Sequence, residues 1–363
     1  DLYDIQASLP KSVSIYAELG DVVHPGLKSR IVDIHRRAMI AGLSHAMDLG
    51  LIATRRDGRH VPVAQCATVF YPHDTSRADD MQLHHHGVLA KTALAADGKV
   101  AQIDNYLLMR HKGAIAALIR AEEIRLLRDE LDLAVEQDRR GYRLAGVPFE
   151  LEKTFSKRRG EIDSSLAKSG KTTKKNRVAA QRAAYETRLT KSHVAAADLK
   201  DLWISEAAAV GWSPEDLTFS VASAVQTVSA NGTDAGSSAL VAARQAVSEL
   251  SANSTTFTKA DFFKVVFEAV QCHGIGADAA LTLAQGLIQS GDVLPISSRR
   301  REQIFTDRKV YEAEKCIIRS AETLMAQTPI FSKAMEDALT KTAWKAGATE
   351  EQAVAFADIM TGP

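Results

Sequence analysis

Residues 73–86 read His-Asp-Thr-Ser-Arg-Ala-Asp-Asp-Met-Gln-Leu-His-His-His. His84 and His86 are two apart on an expected strand, so alternation puts both on one face and His85 on the other. Two imidazoles at that spacing can bind one metal ion. His73, eleven residues before His84, can supply a third ligand from a neighbouring strand end. Three neutral imidazoles leave open positions on a divalent ion, the arrangement a catalytic metal needs. A His pair on a strand is more often structural, so the flanking residues carry part of the weight.

Outward from this stretch, residues 1–150 read as an α/β or α+β unit. Residues 4–8 form a short extended run that stops at Pro10, and Pro10-Lys11-Ser12 opens a helix. Residues 27–49 form an amphipathic helix with Ile31, Ile34, Ala38 and Leu43 near one face. Residues 65–71 (QCATVFY) have strand character, and residues 82–94 extend the histidine strand. Asp97-Gly98 marks a hairpin into residues 99–103. Residues 113–137 are a helix with Leu118, Ala121, Ile124, Leu127 and Leu131 at spacings of 3 and 4. Residues 142–147 close the unit as a strand ended by Pro148.

Composition bounds the rest. Across 363 residues, 45% are hydrophobic and 25% charged, the mixture of a soluble globular protein. Lys+Arg and Asp+Glu are both 45, so any electrostatic argument must be local. Residues 153–191 carry twelve Lys/Arg against three acids, a surplus of nine in a chain whose total is zero. That segment reads either as a solvated helix face or as a basic flap over a polyanion. The odd, widely spaced Cys66, Cys272 and Cys316 read as reduced thiols. No run of about 18 apolar residues is present. The chain opens on Asp1 with no signal peptide, and it is expected to have lost its natural start. Residues 229–238 read as a linker. After them come helices at 256–270, with Thr256 or Thr258 as N-cap, and at 277–289. A basic-tipped hairpin about Arg299-Arg300-Arg301 completes a pattern like a winged helix, and a plain helical bundle fits the same stretch nearly as well. Residues 309–326 and 330–360 are further helices.

HDTSR, a short acidic spacer and QLHxH together resemble the metal motif of the HUH endonucleases, and more narrowly of MobF-class conjugative relaxases, the N-terminal part of bifunctional relaxase–helicases. Residues 4–14 (DIQASLPKSVS) are similar to a second motif of that family. Residues 145–148 (AGVP) with 155–162 (FSKRRGEI), and residues 305–314 further on, resemble later segments in the same order. The implied fold is α+β: a mostly antiparallel sheet with helices, then helical fingers and a small winged-helix-like unit. The implied division is a relaxase core over 1–150, basic fingers over 151–235, the winged-helix-like unit over 236–310 and the start of a helicase region over 311–363.

The resemblance implies transesterification of one DNA strand at an origin of transfer, through a 5′-phosphotyrosine link that is later reversed. His73, His84 and His86 match the metal ligands. Asp4 matches the family's acid near the tyrosine, either accepting its proton or orienting His73. Lys11 and Arg77 are expected near the DNA backbone or the scissile phosphate, and Gln82 is expected either to orient the motif or to touch DNA. Arg158, Arg159, Lys174 and Lys175 are expected to contact DNA from the fingers. The cofactor is a divalent ion, magnesium or manganese by the family's habit, with zinc or nickel matching the imidazoles by ligand softness. The implied partners are single-stranded DNA, relaxosome accessory proteins and a coupling protein, with no membrane insertion and a bacterial cytoplasmic location.

The catalytic tyrosine is expected upstream of residue 1, since Tyr3 and Tyr16 stand on the wrong side of the motif or at the wrong distance. Gly170-Lys171-Thr172 lacks the first glycine of a P-loop, so a helicase motor is expected beyond residue 363. The alternative is a non-catalytic single-stranded DNA-binding module with a vestigial HUH fold.

Overall fold

The computed structural model describes residues 2–139, 141–168, 196–229, 235–299, 302–325 and 333–361. In chain order the first part comprises β1 (Leu2–Ser8), α1 (Lys11–Val23), α2 (Leu27–Asp48), β2 (Ala53–Arg56), β3 (Arg59–Gln65), β4 (Thr68–Thr75) and β5 (Met81–Ala90). There follow β6 (Thr92–Ala95), β7 (Val100–Gln102), α3 (Asn105–Leu131), β8 (Val135–Asp138), β9 (Gly141–Leu144), α4 (Phe149–Thr154) and α5 (Lys157–Lys168). Strands β1, β5 and β4 form an antiparallel sheet in the order β1-β5-β4, and β2, β3, β6 and β7 form a second. This is the expected mixture of helices and mostly antiparallel sheet.

Period-2 alternation on β5 sends Leu83, His85 and Leu89 inward, all buried. Gly87 falls on the same inward face. A Cβ there would stand 3.3 Å from both Met39 and Phe70, so glycine lets α2 press close to the sheet. The expected face of α2 is buried, with Ile31 and Ala38 fully enclosed. The two serines of the PKSVS run explain themselves in the fold. Ser14 Oγ accepts from the Leu83 backbone N–H at 3.1 Å, and Ser12 Oγ accepts from that of Leu144 at 2.9 Å. Both are fully buried, and they satisfy strand donors that face a helix rather than another strand.

Several boundaries differ from expectation. Residues 65–71 are not one strand: β3 ends at Gln65 and β4 starts at Thr68. Helix α3 starts at Asn105, because the Asp104 carboxylate accepts from Leu107 N–H at 3.1 Å and caps it. It stops at Leu131, where Asp132 turns left-handed at φ 51°, so residues 135–138 are a strand and not the end of a helix. The expected linker is helical from Ala235 onward, and residues 330–360 hold two helices, Lys333–Lys345 and Glu350–Thr361.

The helices Ala235–Asn253, Lys259–Val270 and Gly276–Gln289 accompany strands Phe257–Thr258, Val293–Arg299 and Glu302–Asp307, the short first strand pairing with the last. Thr258 forms a capping box with Asp261. The third helix carries no Lys or Arg. Its start packs on α3, where Glu122 accepts from Ala277 N–H at 3.1 Å.

Candidate metal centre and nucleic-acid interface

The register of β4 on β5 pairs His73 with His84 and Tyr71 with His86. Three imidazoles therefore gather on the outward face of the sheet. Their ring centres lie 5.2 Å (His73–His84), 5.0 Å (His73–His86) and 5.3 Å (His84–His86) apart. Rings bound to one ion at roughly 2.1 Å stand about 5 Å apart, so the spacing suits a single ion. As the side chains stand, no group of three or more His, Cys, Asp or Glu among the described residues is set to hold one. The strand register sets the spacing of the rings, and that spacing is what the site offers.

The hydrogen bonds decide which nitrogens are available. His84 Nδ1 lies 2.9 Å from the Gln82 carbonyl, and His86 Nδ1 lies 2.9 and 2.8 Å from the two Asp4 oxygens. Both partners only accept, so each Nδ1 carries a proton and Nε2 is the nitrogen left for a ligand contact. Burial, with His73 and His86 nearby, holds the His84 pKa below the ordinary imidazole range, so His84 is neutral near pH 7. The donor set suits a borderline divalent ion.

Asp4 corrects one expectation. It orients His86, not His73, because β1 pairs with β5 and β4 lies on the far side of β5. Tyr16 is buried in the core, and Tyr3 donates to the Ile103 carbonyl at 3.3 Å. Neither faces the triad.

A cavity of about 640 Å³ holds the three histidines with Arg77, Gln82, Gln6 and Tyr71. Gln82 lines it while donating to the Leu9 carbonyl at 2.9 Å, which ties β5 to the start of α1. A second cavity of about 510 Å³ shares Ser76 and Gln82 with the first and is lined by Lys11, Arg158 and Arg159. The fold thus brings together the cations singled out at residues 11, 77, 158 and 159. Lys11 is less free than expected: it donates to the Met81 carbonyl at 2.6 Å. Burial pulls its pKa down to about 8 against the opposing charges of Asp80 and Glu152. Arg158 and Arg159 pair with Glu161 and Asp163 at 3.0 Å. Lys174 and Lys175 lie outside the described residues.

The Arg77 turn is clamped from the neighbouring helices. Trp203, on helix Ala196–Ala209, donates to the Asp79 carbonyl at 2.8 Å. Asp80 is 1% exposed and accepts from the backbone N–H groups of Lys157 and Arg158 at the start of α5. Tyr71, Asp80 and Trp203 were not legible as site residues, since an isolated aromatic or acid has no distinguishing spacing.

Comparison with known proteins bears on the family and the fold. The profile of the TrwC relaxase family matches residues 2–210. The chain belongs to the TrwC relaxase family. That membership places it in the MobF class of conjugative relaxases. It is 28% identical over 207 residues to the multifunctional conjugation protein TraI of Escherichia coli K12, covering 53% of this chain and 11% of that protein. The matched region therefore spans about a tenth of the curated relative. Conjugative relaxase TrwC in complex with oriT DNA superposes in its metal-free form with a TM-score of 0.51 and in its metal-bound form with 0.52. Both are 24% identical, covering 58% of this chain and 72% of the other. At that identity the likeness speaks for the fold. No helix among the described residues is long and apolar enough to cross a membrane.

Proposed function

We propose that this chain is the DNA-processing part of a conjugative relaxase, which binds one strand at an origin of transfer and supports its nicking and rejoining by a tyrosine. The observation that carries this reading is the histidine triad, with ring centres 5.0–5.3 Å apart and its cavity adjoining a second one lined by Lys11, Arg158 and Arg159. His73, His84 and His86 would hold a divalent ion, magnesium or manganese by family habit. When bound, the ion supplies a Lewis acid for a non-bridging phosphate oxygen. Asp4 fixes the His86 ring and its tautomer. Arg77 faces the same space and offers a fork of donors to a phosphate. The nucleophile is a tyrosine other than Tyr3 and Tyr16, expected upstream, and the helicase motor, the accessory proteins and the coupling protein belong to the same reading.

The test is cleavage of a labelled origin-of-transfer oligonucleotide with manganese, comparing this chain with one extended upstream. Cutting and covalent attachment by the extended chain alone supports a relaxase with an upstream nucleophile. Binding without cutting by both chains favours a strand-binding module instead.

A further inference from the structure

The outward face of the three-stranded sheet carries Tyr71, which is 52% exposed on β4 among the described residues. Alternation puts Tyr71 on the same side as His73 and Val69. Val69 is 53% exposed. Tyr71 stands opposite His86 in the register and lines the cavity that holds all three histidines and Arg77. The core face of β4 is served by Phe70, which packs toward Gly87. Tyr71 is therefore not needed for the core.

We propose that Tyr71 is the stacking platform for one unpaired nucleobase next to the phosphate held at the histidine triad. This rests on the strand-transfer reading above and adds the element that reading lacks, a group that engages a base rather than the backbone. Every nucleobase has a π-face, so the contact is sequence-tolerant, and it is open only to a strand whose bases are unpaired. The ring does the work and the hydroxyl is dispensable. Arg77 and the triad position the phosphate, while Tyr71 and Val69 form an apolar step along β4 for the base.

The experiment measures binding of a fluorescent fifteen-nucleotide oligothymidine to the whole chain in manganese, at several salt concentrations. Loss of one base–aromatic stack costs roughly 5- to 150-fold in affinity, and Tyr71→Ala is expected to fall in that range. Tyr71→Phe is expected to stay within about 2-fold, since it keeps the π-face. Stacking releases no counterions, so Tyr71→Ala leaves the salt slope unchanged, whereas Arg77→Ala lowers it by about 0.7. Manganese stoichiometry stays the same in both Tyr71 variants, a control that the sheet is intact. Unchanged affinity in Tyr71→Ala overturns the proposal, as does a Tyr71→Phe loss equal to that of Tyr71→Ala, which would make the hydroxyl the active part. A wild-type chain that does not bind the oligonucleotide overturns the strand-transfer reading, and the role of Tyr71 falls with it.

Discussion

The two faces of β5 use one residue type in two ways. On the open face His84 and His86 keep their Nδ1 protons on Gln82 and Asp4 and line a cavity. On the closed face His85, between them, is 2% exposed and packs on His35, ring centres 5.0 Å apart. Burial, with the charges of His35 and Arg36 behind it, pushes the His85 pKa down to about 4. His35 is the opposite case. Its Nδ1 faces Glu123 at 2.5 Å and its Nε2 faces the Ala7 carbonyl at 3.1 Å. Both partners only accept, so the ring is an imidazolium. Tyr142 donates to the other Glu123 oxygen at 2.6 Å. The neighbours of each histidine, more than its residue type, decide whether it can ligate, pack or carry charge.

The sharpest way to break this contrast is to delete each face in turn. His84→Ala with His86→Ala should abolish manganese binding and leave thermal unfolding nearly unchanged. His85→Ala should keep the metal and lose about 2 kcal/mol of stability, because it opens a cavity. Metal retention in the double variant, read by calorimetry, would remove the ligand assignment.

The next effect falls on the buried pair. Breaking such a pair leaves a charge unmet and costs about 3 kcal/mol, so Glu123→Gln should lower the urea midpoint accordingly. Burial pulls the His35 pKa down, but the charge and hydrogen bond of Glu123 outweigh it, and the net shift is upward. A raised folded pKa gives stability that is full below the unfolded value of about 6.5 and is lost as pH rises through the folded value. Wild-type stability should therefore decline above neutrality. Glu123→Gln should flatten that decline, and an unchanged pH profile would show that His35 is neutral in the fold.

The open face was legible because its chemistry is periodic. Two histidines at i and i+2 with a third one strand away declare a shared face, and the PKS and HDTSR runs add specificity. The closed face was not legible: His35 and Glu123 are 88 residues apart, and nothing local to either names the other. The same limit hid Trp203, which reaches Asp79 across 124 residues. Capping residues were readable where they stand in short motifs, as Thr258 does. Asp104 stands in no such motif, and the 3–4 spacing of apolar residues in α3 is plain only from Leu118 to Leu131.

Smaller effects refine the picture. Asp4→Asn keeps the shape but weakens the hold on the His86 Nδ1 proton. Loss of such a supporting carboxylate typically costs about 10- to 100-fold in metal affinity, while Gln82→Ala should leave the affinity near wild type. Ser14→Ala strands the buried Leu83 N–H and should cost about 1–2 kcal/mol, measured by chemical denaturation. Finally, Lys11 loses its proton as pH rises through about 8. Affinity for single-stranded DNA should then weaken modestly between about pH 7 and pH 9, and Lys11→Met should show no such dependence. An equal dependence in both would place the titration elsewhere.

The most direct test of the central claim is a manganese titration of the wild-type chain, the His85→Ala variant and the His84→Ala, His86→Ala double variant, followed by calorimetry. One ion per chain in the first two and none in the third is the predicted result. Equal stoichiometry and affinity in all three would contradict a metal centre on the open face of β5.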